Sequence, residues 1–434
     1  MLRSILHKSQ PFVAYRFYST SRSAKQITSS QLTEWMNQKK LYSDMIIVDV
    51  RERPEIEEKG KIKGALNIPF SLSAELFKGA LSEFNKEMPI IFHCRGGRRS
   101  DEAALMAEKL GYKDCYSLVG GIEAWQGPVQ AFMNNHSPWV HTILEKETET
   151  AQYIVTDFAT KEAYIIDPVL DYDPFASKVH TATADNLLRF IEGYELNVTK
   201  IIETHVHADH LSSAFYLKQK LPSKPEVCIG ANVTKVQKAF GERYNLGLDE
   251  LSPTGEQFDV LTSDGMQWTL GKDIHCSVIA TPGHTPACMS YHLGDAAFVG
   301  DTLFMPDIGT ARCDFPGGSV KDMYESIHKM YSQWPDDTRI YVGHDYPGSH
   351  RSYEFMTLLQ QHKKSNKMIN ENVSLEEYSK MRQERDKALR APRYIHPSIQ
   401  TNLRGGILPT PEVSIHDKKT LYQFFKIPIR WDKE

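Results

Sequence analysis

The segment Thr204-His205-Val206-His207-Ala208-Asp209-His210 places three imidazoles and a carboxylate within six residues. Such a set is costly to hold together without a cation. Neutral imidazole is the commonest metal ligand, and an aspartate compensates the ion's charge. Further ligand types follow at a distance: His284 in Thr281-Pro282-Gly283-His284-Thr285, Asp301 in Phe298-Val299-Gly300-Asp301-Thr302, and His344 in Tyr341-Val342-Gly343-His344-Asp345. Any one of these histidines, alone, is more often a structural residue. The joint set points to a metal centre.

A second constellation lies upstream, in Cys94-Arg95-Gly96-Gly97-Arg98-Arg99-Ser100. A nucleophilic cysteine acts as its thiolate, which nearby arginines and a helix N-terminus both stabilise. The glycines let backbone N–H groups turn inward around an anion. The loop therefore reads as a cradle for an anionic group carried on Cys94, with Arg95, Arg98 and Arg99 around it. The plainer reading is a buried, inert cysteine, which fits Cys115 better.

Both constellations need strand ends to position them. Met45-Ile46-Ile47-Val48-Asp49-Val50 and Ile90-Ile91-Phe92-His93 are short apolar, β-branched runs typical of buried parallel strands, and a helix is expected from Asp101 to Leu110. Ile201-Ile202-Glu203 and Val278-Ile279-Ala280 place the histidine-bearing turns at the ends of further strands. Gln152-Tyr153-Ile154-Val155 and Ala163-Tyr164-Ile165-Ile166-Asp167 read as a strand pair, and helices are expected over Leu211 to Lys220 and Leu375 to Leu389. At 434 residues two domains are expected, joined by the polar, Pro-ended stretch 134–138.

A formal net charge of −4 gives no polyanion-binding surface, so nucleic acid is not expected as a partner. No apolar run approaches the roughly 18–20 residues that span a bilayer, so no membrane is expected either. The six scattered cysteines form no CxxC pair and suit a reducing compartment. From Met1 to Thr33 there is no acidic residue, while Arg3, Lys8, Arg16, Arg22 and Lys25 accompany many serines. That composition reads as a mitochondrial transit peptide over residues 1–26, with cleavage after Tyr18 and a matrix destination.

The Cys94 loop resembles that of the rhodanese family. Phosphatases of related architecture carry an arginine six positions after the cysteine. Here that position is Ser100, and Arg99 sits five after, which suits sulfur better than phosphate. Val48-Asp49-Val50-Arg51-Glu52, Gly64-Ala65-Leu66-Asn67-Ile68-Pro69 and Gly120-Gly121-Ile122-Glu123-Ala124-Trp125 also match the family's motifs. The resemblance implies a rhodanese-like α/β domain over residues 27–133, with Cys94 as a persulfide carrier.

The order HxHxDH, His, Asp, His resembles the metallo-β-lactamase superfamily. It implies an αββα sandwich over residues 139–355, followed by a helical extension over 356–434. Within that superfamily two chemistries are implied. Persulfide dioxygenases hold one Fe(II) at the counterparts of His205, His284 and Asp301, leaving His207, Asp209, His210 and His344 outside the first coordination sphere. Hydrolases of the glyoxalase II type use all seven for two zinc ions. Met305-Pro306-Asp307-Ile308-Gly309-Thr310-Ala311-Arg312-Cys313-Asp314-Phe315 resembles the dioxygenase-like branch. There Arg312 matches the position that binds the substrate's carboxylate; its plainer role is a salt bridge to Asp314. Tyr346 is a further candidate contact.

The resemblance implies oxidation of glutathione persulfide by O₂ to sulfite and glutathione. Cys94 would exchange sulfur with sulfite or thiosulfate. A two-zinc thioester hydrolase and a non-enzymatic persulfide carrier or sensor remain the alternatives. The piece His396-Pro397-Ser398-Ile399-Gln400-Thr401-Asn402-Leu403-Arg404 resembles β-lactamase-like members of the branch. It either caps the cleft, serves a homo-oligomer interface or simply packs, the last being the default.

Overall fold

The computed structural model describes residues 23–38, 45–71, 74–81, 84, 86–130, 137–348, 351, 353–414, 416, 418–419 and 421–429. The leader up to Arg22, including the expected cleavage site after Tyr18, lies outside the described residues, as do 134–136 of the expected linker.

The N-terminal unit is built on a five-stranded parallel sheet in the order Lys25–Ile27, Cys115–Leu118, Ile90–His93, Ile46–Asp49, Leu66–Asn67. Its two central strands are buried along their whole length, which is why they read as unbroken apolar runs. The strand Ile90–His93 delivers the chain to Cys94, and the helix Arg98–Lys109 begins four residues later. The helix starts three residues before the expected Asp101, because Gly97 at φ 103° lets the loop turn directly into it.

The second unit is a four-layer αββα sandwich. One six-stranded sheet runs Val260–Thr262, Glu226–Gly230, Asn197–Ile202, Glu162–Ile166, Thr150–Asp157, Trp139–Glu145. The other runs Gln267–Leu270, Ile274–Ala280, Met289–Leu293, Ala296–Phe298, Arg339–Tyr341, Met356–Leu358. Side chains alternate between faces as a strand's two-residue period requires. Tyr153 and Val155 meet Val278, Tyr291 and Phe298 between the sheets, whereas Ile154 packs outward against the helices Ala182–Gly193 and Val233–Tyr244. On the other outer face Met323, Ile327 and Met330 of the helix Val320–Gln333 cover Val299 and Ile340.

The second sheet takes in Met356–Leu358, so it runs past the expected boundary at 355. Within the expected extension the helix Leu375–Ala388 is started by a capping box between Ser374 and Glu377. The helix Ile395–Asn402 contributes Ile395 and Ile399 to the core on the first sheet. Beyond it the chain forms a short hairpin of Glu412–Val413 and Leu421–Tyr422. The segment read as one helix over Leu211 to Lys220 instead begins as the strand Leu211–Ser212, pairing with Val169 and Leu170, and turns helical at Ala214.

The two units meet at Trp139, which is 7 % exposed and stacks on Phe158 at 4.8 Å. Gly79 faces the indole so closely that a Cβ there would lie 3.1 Å from it.

Three histidines outside the metal cluster bear on stability: His362 is buried, and His141 and His292 are half-buried. Burial pushes His141 and His292 down to about 4 and His362 down to about 3. A histidine depressed by folding is protonated earlier in the unfolded chain. Its contribution is complete above the unfolded value of 6.5 and is lost as pH falls toward the folded value. We expect the unfolding free energy to fall as pH drops from 7 to 5, by up to ~1.4 kcal/mol per pH unit for each histidine, and the urea midpoint to fall with it. A midpoint constant over that range would contradict the assignment.

Candidate functional site

The metal-ligand candidates converge at one rim of the sandwich. His205, His207, Asp209 and His210 follow the strand Asn197–Ile202, and His284 follows Ile274–Ala280. Asp301 follows Ala296–Phe298, and His344 follows Arg339–Tyr341. Gly300 sits at φ +47°, and a Cβ there would lie 2.3 Å from Thr204 Oγ1, so only glycine lets these two turns close on each other.

The ligand atoms fall into separate groups, and His207 also belongs to a third with Asp167 and Glu203. Those of His205, His284 and Asp301 lie within 4.8 Å of one another, as do those of His207, Asp209 and His210. His284 Nε2 is 3.8 Å from Asp301 Oδ2, and His344 Nε2 is 3.3 Å from Asp209 Oδ2 and 3.6 Å from Asp301 Oδ1.

Each ring is fixed through its other nitrogen. His284 Nδ1 donates to Arg312 O at 2.7 Å, His210 Nδ1 to Leu211 O at 3.1 Å, and His344 Nδ1 to Glu149 O at 3.0 Å. His205 Nδ1 meets Thr204 Oγ1 at 3.0 Å, and that hydroxyl donates to Asp167 Oδ2 at 2.9 Å. Anchored in this way, the Nε2 lone pairs point inward. The Nε2 atoms of His205 and His210, His207 Nδ1 and Asp301 Oδ1 are buried without a hydrogen-bond partner, whereas His207 Nε2 faces Asp167 Oδ1 at 3.0 Å. Buried polar atoms are rarely left so. Cations held by these groups would satisfy them, so the residues present fit a metal.

Electrostatics agree. Burial and the neighbouring imidazoles hold His205 well below the usual imidazole value, and burial holds His284 low and His210 at about 4. These are neutral, ligating forms. Burial works against charge on Asp209 too, yet His344, His210 and His207 bring it to about 2. Burial also opposes charge on His207, but Asp167 at 3.0 Å and Glu203 at 3.5 Å raise it well above the usual value.

Several contributors were not singled out from sequence. Asp167, 1 % exposed, also accepts the Thr204 N–H at 2.7 Å and so holds the start of the histidine loop. Asn402, from the C-terminal segment, donates to His207 O and His210 O at 2.8 Å each and accepts from Ser212 N. Arg382 donates to Thr310 O at 2.7 Å while Asp386 accepts from Cys313 N at 3.0 Å, which braces the loop that orients His284. The only sequence signal for Asp167 was its place at the end of an apolar strand.

A cavity of about 450 Å³ opens on the cluster, lined by His284, Asp301, His344 and Tyr346 together with Phe304, Ile308, Ala311 and Phe315. Tyr346 stacks on His344 at 5.8 Å. Arg312 lines the cavity too, but its guanidinium is held by both carboxylate oxygens of Asp314, at 2.5 and 2.6 Å, and donates to Arg390 O.

In the N-terminal unit Cys94 is 2 % exposed, and its Sγ accepts the Gly97 N–H at 3.1 Å with Ser100 Oγ at 3.5 Å. Gly121 packs against the loop so tightly that a Cβ would lie 2.3 Å from Cys94 O. The three arginines each meet a carboxylate: Arg99 both oxygens of Glu55, Arg95 Glu123, and the exposed Arg98 Glu102. Direct contact with the sulfur is thus made by the Gly97 N–H and the Ser100 hydroxyl at the helix start. By contrast, burial pushes the thiols of Cys115, Cys228, Cys288 and Cys313 up to about 12.

Comparison with known proteins matches residues 28–128 to the rhodanese-like domain family and residues 148–344 to the metallo-beta-lactamase superfamily. "Glyoxylase B2" of Dictyostelium discoideum is 44 % identical over 292 residues, covering 67 % of this chain and 96 % of that protein. The chain belongs to the metallo-beta-lactamase superfamily, with a rhodanese-like domain in front. This superfamily member is also 37 % identical over 335 residues to a "Beta-lactamase hydrolase-like protein" of Agrobacterium fabrum, covering 76 % of each. It is 31 % identical over 201 residues to "Persulfide dioxygenase ETHE1, mitochondrial" of Homo sapiens, covering 46 % of this chain and 65 % of that protein.

Proposed function

We propose that the chain is a persulfide dioxygenase joined to a sulfurtransferase, working in the mitochondrial matrix. One observation carries the reading: a single chain holds both a rhodanese-like loop in which Cys94 Sγ accepts the Gly97 N–H and a buried group of two imidazoles and one carboxylate lining a cavity of about 450 Å³. His205, His284 and Asp301 would hold one Fe(II), which would supply the activation of O₂ toward a thiol-borne sulfur. Glutathione persulfide, O₂ and water then give glutathione and sulfurous acid, which ionises to sulfite. The human relative's name supports the reading.

The chain's own residues supply the setting. The carbonyl of Arg312 and the Thr204–Asp167 pair keep His284 and His205 in their ligating orientation. Phe304, Ile308 and Phe315 keep water from the sulfur, and Tyr346 lies over His344 in the cavity wall. Sulfite leaving this site is a sulfur acceptor for Cys94. The carried sulfane sulfur bonds to the sulfur of sulfite as the Cys94 S–S bond breaks, giving thiosulfate and a free Cys94 thiolate.

A two-zinc thioester hydrolase is the second reading. It is favoured by the convergence of Asp209, His210 and His344 and by the name of the Dictyostelium relative. Product analysis separates the two. Sulfite formed from glutathione persulfide in air is expected, and release of glutathione from S-lactoylglutathione without sulfite formation would overturn the dioxygenase reading.

Cys94 belongs to sulfur transfer alone. Cys94→Ser is expected to abolish thiosulfate formation while leaving persulfide-dependent oxygen uptake within about twofold of the parent, since the substitution removes a nucleophile and little volume. Loss of oxygen uptake in this variant would show that the two steps are not separable.

A further inference from the structure

The wall of the cavity is also strongly cationic, and most of its charge comes from the C-terminal segment. Arg382, Arg385, Arg390 and Arg393 line it together with Arg312. They are not equivalent. Arg312 is held by Asp314, and the buried Arg382 by Asp386. Arg393 lies 4.0 Å from Glu147 and over the Tyr394 ring. Arg385 and Arg390 are exposed, and among the described residues neither side chain is paired with an acid. Two uncompensated guanidiniums on the wall of a concave site make an anion receptor, with donors that match carboxylates in pairs.

We propose that Arg385 and Arg390 receive the carboxylates of an acidic thiol whose sulfur lies at the metal cluster. Arg312, by contrast, positions His284 through its carbonyl. The ligand class is a small peptide-like thiol with carboxylates remote from its sulfur. The cavity of about 450 Å³ falls in the range of roughly 300–1,000 Å³ typical of small-molecule sites. The helix Leu375–Ala388 is rigidly set for the task, because Arg382 and Asp386 on its buried side bind the backbone of Thr310 and Cys313. Specificity for the thiol's acidic tail thus resides in the segment after the sandwich. Only the identity of the reacting sulfur rests on the persulfide reading above.

The test is calorimetric binding to the metal-loaded full chain, using two unreactive probes: S-methylglutathione, which is acidic, and S-methyl-N-acetylcysteamine, which is neutral. Arg385→Ala/Arg390→Ala removes two exposed side chains and leaves the core untouched. It should weaken S-methylglutathione roughly 100-fold, about tenfold for each charge-assisted contact, and leave the neutral probe unchanged. Arg385→Lys/Arg390→Lys should recover part of the loss. Unchanged affinity for S-methylglutathione in the alanine variant, or equal weakening of both probes, would overturn the proposal. Oxygen uptake is read separately. A parent protein that discriminates the probes by charge yet consumes no oxygen retains the site and loses the dioxygenase reading. One that oxidises persulfides while the alanine variant binds S-methylglutathione normally does the reverse.

Discussion

Replacing His284 with alanine is expected to strip iron from the protein and lower persulfide-dependent oxygen uptake by on the order of 10³-fold or more. A bound metal supplies several kcal/mol of charge stabilisation in reactions of this type, and each 1.36 kcal/mol is a factor of ten in rate. His284 is 4 % exposed, with Nδ1 committed to Arg312 O and Nε2 turned toward Asp301. Its loss removes one of the three ligands proposed for the iron and leaves His205 and Asp301 as an incomplete set. Elemental analysis of the purified variant, with its circular dichroism spectrum to confirm folding, reads the effect directly. Iron content equal to the parent's would refute the ligand assignment.

Asp167→Asn is expected to weaken metal binding about 10–100-fold, the usual cost of losing a partner that orients a ligand. Asparagine is the suitable replacement because Asp167 sits at φ +50°, a left-handed conformation that asparagine tolerates. The amide keeps one acceptor for Thr204 but loses the negative charge facing His207. The Thr204–His205 relay and the charge on His207 weaken together. Competition against a chelator measures the change, and an affinity equal to the parent's would show that Asp167 only shapes the turn. Asp167 does not line the cavity, so a larger effect on metal affinity than on substrate KM is the expected pattern.

What could be read from sequence divides along a physical line. His205, His207, Asp209, His210, His284, Asp301 and His344 were legible because ligands must be of few chemical types and must sit at strand ends, which apolar runs betray. Cys94 was legible for the same reason, through glycines and arginines at a strand-to-helix turn. Asp167 was not, because a single aspartate after Ile165 and Ile166 looks like any strand terminus until its two oxygens are seen to meet Thr204 and His207. Arg312 was legible as a residue with two candidate roles, a substrate contact or a salt bridge to Asp314 two positions on, and its guanidinium makes the salt bridge. The C-terminal segment was the least legible. Asn402 lies 195 residues from His207, and Arg382 lies 72 from Thr310, so neither contact leaves any periodic trace. The arginines of Cys94's loop show the converse: their charge was evident, and the carboxylates of Glu55 and Glu123 that answer it were not.

The most direct measurement is oxygen consumption with glutathione persulfide on the full chain after its metal content has been determined. One iron per chain, with oxygen uptake that requires the persulfide and yields sulfite in equal amount, is the predicted result. Two zinc ions per chain, no persulfide-dependent uptake and turnover of S-lactoylglutathione would contradict it.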